Sequence, residues 1–210
     1  MTKQFVYYTP IDNMKTTLEQ LVDKCKQISD NWHENENRYG WRNLRLVPEA
    51  ANELAAMPLE GETSAKNQIE VFELMIGCVD ELSIPRQVLG IRRHQLSLFA
   101  YVDPQEEIEV KKTDVEAEIK RLEDYLDLSI PMEEWCERYH KHLKFDPVER
   151  TQEWEETIYD AEEEVCDQLK DENRGMGFCF SYWAALRTAL AKRGISWNSP
   201  SAMNPRVHFD

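Results

Sequence analysis

Glu133, Cys136, Glu137, His140 and His142 place five potential metal ligands or acid–base groups within ten residues. On a helix, Glu137-x-x-His140 sets a carboxylate and an imidazole on one face. Helical-bundle di-metal centres use two such pairs plus two further glutamates from facing helices. Asp30-x-x-His33 imitates the second pair, and Glu70, Glu73, Glu156 or Glu163 can supply the rest. The chemistry implied is metal-assisted, with Glu133, Glu137 and His140 as ligands. The competing reading is a solvated helix face with surface histidines, because Asp30 stands where Glu is expected, at a fraying helix end.

A second series is acidic. Glu153, Glu156, Asp160, Glu164, Asp167 and Asp171 recur at three- and four-residue steps, one face of a helix. Such a run is either a solvated face or a surface that meets a basic partner. Glu153-x-x-Glu156 and Glu164-x-x-Asp167 resemble the paired acidic motifs of all-α nucleotide pyrophosphohydrolases, which hold Mg²⁺ against a triphosphate. In that family the pairs come from two separate helices. Here both fall on one helix, where they diverge along its axis.

A third feature is Arg174-Gly175-Met176-Gly177, just before an aromatic helix. Backbone amides and an arginine at a helix start can hold an anion, though two glycines also make a plain tight turn. Beyond it, Phe178, Phe180, Tyr182, Trp183, Trp197 and Phe209 form an aromatic-rich end. These are read as core, on a helix central to the bundle, in preference to an exposed interface. Nucleophilic catalysis has no recognisable pattern; Cys136 with His140 is the nearest approach. No cofactor is implied.

Apolar residues make up 41% of 210 residues and charged residues 31%, a globular balance. Five widely spaced cysteines argue against a disulfide framework and for buried thiols. No apolar run suits a membrane span, and the first eight residues lack a secretory pattern, so the cytoplasm is expected. Between Asp103 and Asn173 stand 25 acidic and nine basic residues, enough to hold the whole net charge of −15. Residues 174–210 are net positive, with Arg174, Arg187, Lys192, Arg193 and Arg206 against Asp210. So acidic a chain repels nucleic acid and anionic membranes and suits a basic protein partner.

The elements follow from apolar spacing. Lys3–Tyr8 reads as a short strand or arm. Met14, Leu18, Leu21, Cys25 and Ile28 mark a first helix from Pro10. Pro48 opens a short second helix to Met57. Thr63 or Ser64 caps a third, which carries Ile69, Phe72, Ile76, Val79 and Leu82. Pro85 starts a fourth, to Tyr101. Residues 103–112 read as a charged linker, with Thr113-x-x-Glu116 as a capping box for the next helix. Pro131 begins one to Leu143. Asp146-x-x-Glu149 then caps the longest, to about Lys170, with Trp154, Ile158, Ala161, Val165 and Leu169 inward. Phe178–Lys192 is the last helix, and Pro200 and Pro205 enforce an extended tail.

The expectation is an all-α bundle, or a short helical-pair array, of about seven helices. It forms one unit, 1–210, or two halves, 1–102 and 113–210. Leu82-Ser-Ile-Pro85 recurs as Leu128-Ser-Ile-Pro131, which is a duplicated helix pair or shared turn chemistry. The functional expectation is a non-enzymatic interaction module with an acidic surface for a basic protein. The alternative is a metal-dependent helical-bundle enzyme. Oligomeric state is not legible in the chain.

Overall fold

The apolar stripes become helices, nine among the described residues, with no strand beside them. The computed structural model describes residues 11–33 and 38–209, with side chains from Leu18 onward. The Lys3–Tyr8 segment and the start at Pro10 lie outside these. In order come α1 (Ile11–His33), a 3-10 turn (Gly40–Arg42), α2 (Asn43–Ala55), α3 (Glu62–Ile76) and α4 (Pro85–Leu98). After a 3-10 turn (Phe99–Tyr101) follow α5 (Glu106–Leu126) and α6 (Met132–Arg138). A further 3-10 turn (Pro147–Arg150) leads to α7 (Gln152–Gln168), α8 (Phe178–Lys192) and the single-turn α9 (Pro200–Met203).

Consecutive helices pack as neighbours. α1 meets α2, α3 meets α4, α4 lies along α5, and α7 lies along α8. One cluster of buried apolar side chains runs from Leu21 to Trp197 and draws on both sides of residues 103–112. A satellite cluster of Tyr125, Met132, Trp135 and Cys136 lies beside it. Burial of a large apolar side chain contributes about 1.5–3 kcal/mol, so these stripes, rather than helix propensity, hold the bundle together.

Several boundaries differ from the sequence reading. Pro48 lies inside α2, because the Gly40–Arg42 turn leads into a helix already begun at Asn43. Gly61, at φ 89°, precedes α3, in place of a Thr63 or Ser64 cap. That helix stops at Ile76, so Val79 is buried in a turn rather than on the helix. Residues 106–112 are no linker but the first turns of α5. Glu106, Glu107 and Glu109 lie at its positive end, and the Glu107–Lys111 pair spans one turn. Thr113 is therefore inside the helix, its hydroxyl donating to the Glu109 carbonyl at 2.8 Å.

The Asp146–Glu149 box exists but caps the short 3-10 turn. Asp146 accepts from the Val148 amide at 3.0 Å, and Glu149 accepts from the Asp146 amide at 3.3 Å. Thr151 caps α7 itself, accepting from the Trp154 amide at 3.2 Å. α7 has 17 residues, fewer than the 23 of α1 or the 21 of α5. The tail is not wholly extended, because Ser199 caps α9. Both Leu-Ser-Ile-Pro turns precede helices, but the arginines seven residues beyond each proline have different surroundings. Arg92 is buried against Glu73, while Arg138 is half exposed beside Asp124 and Glu134.

Candidate functional site

Three edges of α7 have different surroundings. Its inner stripe of Trp154, Ile158, Ala161, Val165 and Leu169 is buried throughout, as spaced in the sequence. Two charged groups pin this helix region to the rest. Glu155 is buried and accepts from the amides of Arg86 (3.3 Å) and Gln87 (3.1 Å), at the positive end of α4. Arg150, just before α7, is buried at the opposite pole of α5. It donates to the carbonyls of Ile130 (2.8 Å), Asp124 (3.2 Å), Tyr125 and Asp127. Neither role is visible in sequence, because each joins segments 20 or more residues apart.

The outer edge carries the acidic series. Glu153, Glu156, Asp167 and Asp171 are exposed, and Glu163 joins them. The middle of the face is partly neutralised. Asp160 pairs with Arg45 at 2.6 Å, and Glu164 with Lys192 (2.5 Å) and Arg193 (2.8 Å). The basic residues at the end of α8 therefore lie against α7. Asp167 pairs with Lys170 at 3.3 Å, an exposed contact of small worth. Both acidic pairs that resemble the pyrophosphohydrolase motifs remain on this one helix.

The loop after α7 exposes Asp171 and Glu172, then Met176, which is 93% exposed. Gly177, at φ 85°, turns the chain into α8. Phe180 is 49% exposed and stands edge-on to Trp183, whose other neighbour is Phe209 at 5.1 Å. Trp197 is thus in the core as expected and Phe178, Tyr182 and Trp183 pack against it, while Phe180 is exposed. α8 buries only Ala185, Leu186, Ala189 and Leu190 along one side, so it is not the central helix expected.

The third edge of α7 borders a cavity of about 350 Å³. Glu162 and Cys166 face it from α7, and Phe178, Cys179 and Tyr182 from α8. Trp32, Arg38, Trp41 and Leu44 close one side, Asp80 and Ser83 another, and Arg174 stands at the loop. Tyr182 hydrogen-bonds Glu162. Burial raises the Glu162 carboxyl to about 7, with Tyr182 opposing and Asp80 adding to the shift. Glu162 is partly exposed and lines the cavity. The Cys166 thiol is raised by burial and by Glu162, and Arg174, which hydrogen-bonds it, opposes. A thiol held protonated is a poor nucleophile.

The proposed ligands Glu133, Glu137 and His140 do not form a shared face. α6 ends at Arg138, and His140 takes φ 52° beyond it, so the helical spacing behind Glu137-x-x-His140 does not apply. All three are exposed, and Glu133 lies 3.3 Å from Lys144. His142, Asp30 and His33 are exposed too. Among the described residues no three His, Cys, Asp or Glu side chains converge as a metal site. Glu73 and Glu70 instead pair with Arg92 and with Lys111. Arg174, Gly175 and Gly177 do precede α8, with Arg174 over the Phe178 ring at 5.1 Å. No disulfide joins the five cysteines. No described helix is long and apolar enough to cross a membrane. The chain matches no known protein family, no characterised protein and no solved structure.

Proposed function

We propose that the protein is a non-enzymatic interaction module that binds a basic protein partner along the outer edge of α7 and the loop after it. The observation that carries this reading is the pairing of exposed apolar anchors with exposed acid. Met176 and Phe180 stand exposed a few residues after exposed Asp171 and Glu172, and exposed Glu153, Glu156 and Glu163 lie on α7 before them. Seventeen helical residues span about 25 Å, a length suited to a partner's helix or strand. Interfaces commonly set such apolar anchors within a polar rim. The remaining charges steer encounter, so association is fast and salt-sensitive.

The test is affinity capture from a lysate at low and high salt, run with three baits. These are the wild type, Glu153→Lys/Glu156→Lys/Glu163→Lys, and Met176→Ser/Phe180→Ser. A partner held at low salt, released at high salt and lost from both variants is the expected result. A partner held equally by all three contradicts the reading. The metal-dependent alternative has no observation in its favour.

A further inference from the structure

The cavity between α7, α8 and the Trp32–Leu44 corner joins groups that the interaction reading does not use. Two arginines face it, Arg38 and Arg174, and neither has a carboxylate partner among the ion pairs of the described residues. What sets these two apart is that both line one cavity, in a chain with 40 acidic and 25 basic residues. Arg38 donates to the Lys170 carbonyl, and Arg174 lies over the Phe178 ring and hydrogen-bonds Cys166. Arg174 Nε is buried with no hydrogen-bond partner, as is Trp41 Nε1. A buried donor left unpaired is destabilising, so two at one cavity point to an acceptor that completes them.

The other end of the cavity has the opposite character. Glu162 lies one helical turn before Cys166, which puts the Glu162–Tyr182 pair about 5–6 Å along α7 from the thiol the arginines surround. With its carboxyl raised to about 7, Glu162 carries its proton in a large share of molecules near neutral pH, and in that form it repels no anion and can donate; Asp80 lines the cavity as well. Aromatic side chains form the walls, and about 350 Å³ falls within the range of small-ligand sites.

We propose that this cavity binds a small organic anion built on a flat ring. Arg174 and Arg38 take the anionic group, Trp41 Nε1 donates to the same end, and Glu162 with Tyr182 takes a polar substituent across the ring. The shared chemistry is an aryl carboxylate or aryl phosphate.

The test titrates benzoate, phenyl phosphate, 4-hydroxybenzoate and inorganic phosphate into the full chain, following tryptophan fluorescence and thermal midpoint. The aryl anions are expected to quench fluorescence and raise the midpoint, the hydroxylated ring most strongly, and inorganic phosphate to do neither. Arg174→Gln should weaken aryl-anion binding by about tenfold or more, the loss of one charge-assisted contact, while circular dichroism stays unchanged. Arg187→Gln, on exposed α8 surface, is the control and should bind as the wild type. Absence of any aryl response overturns the proposal. So does an equal response from Arg174→Gln, or inorganic phosphate binding as tightly as the aryl anions. None of these outcomes bears on the Glu153 and Met176 surface, so the two proposals fail separately.

Discussion

Glu162→Gln should make the protein more stable at pH 8 and change it little at pH 5. The carboxyl titrates near 7 when folded, against an ordinary value of 4.5. Its folded pKa is raised, so the folded state binds the proton more tightly than the unfolded chain. The stability this contributes is fully present below about 4.5 and is lost as pH rises through 7. At about 1.4 kcal/mol per unit, the shift is an upper bound of about 3 kcal/mol, and pocket water reduces the working figure to about 2 kcal/mol. Glutamine is never charged, and its side-chain oxygen can still accept from Tyr182. Urea unfolding of wild type and variant at pH 5 and pH 8 provides the measurement. The variant should gain about 2 kcal/mol over wild type at pH 8 and less than 1 kcal/mol at pH 5. Equal stability at both values would refute the claim that burial dominates at Glu162.

Ile158→Ala, on the buried stripe, should cost about 2–4 kcal/mol in chemical denaturation, whereas Glu163→Ala on the outer edge should stay within about 0.5 kcal/mol. Arg150→Leu strips donors from four carbonyls around the end of α5 and should lower stability by about 3 kcal/mol or more; an unchanged unfolding midpoint would contradict that role. Gly177→Ala forces a side chain into the left-handed region at φ 85° and should cost about 1–2 kcal/mol, readable as a lowered thermal midpoint.

The sequence carried the helices where an apolar stripe was strong. Trp154 through Leu169 lie inward as their spacing implies, and Phe178–Lys192 has the bounds expected of it. It misled where charge was taken as a sign of loop. Glu106, Glu107, Glu109, Lys111 and Lys112 looked like a linker, yet acid in the first turn and pairs one turn apart favour a helix. Pro48 suits a helix start because proline fits a first turn, and nothing in the sequence marks the 3-10 turn that precedes α2. The Glu137-x-x-His140 pairing failed because α6 ends at Arg138, before the second member. The cavity was illegible for another reason. Trp32, Asp80, Glu162, Arg174 and Tyr182 meet only through tertiary packing, and no local pattern relates them. The same limit hid which acids of α7 are paired, because Arg45 and Lys192 reach them from other helices.

The acidic edge of α7 and its apolar loop form the proposed partner surface. The most direct test is the salt dependence of partner capture by wild type against Glu153→Lys/Glu156→Lys/Glu163→Lys. The expected outcome is a partner bound by the wild type at low salt, released as salt rises, and not retained by the lysine variant. A partner that stays on both proteins at every salt concentration would contradict it.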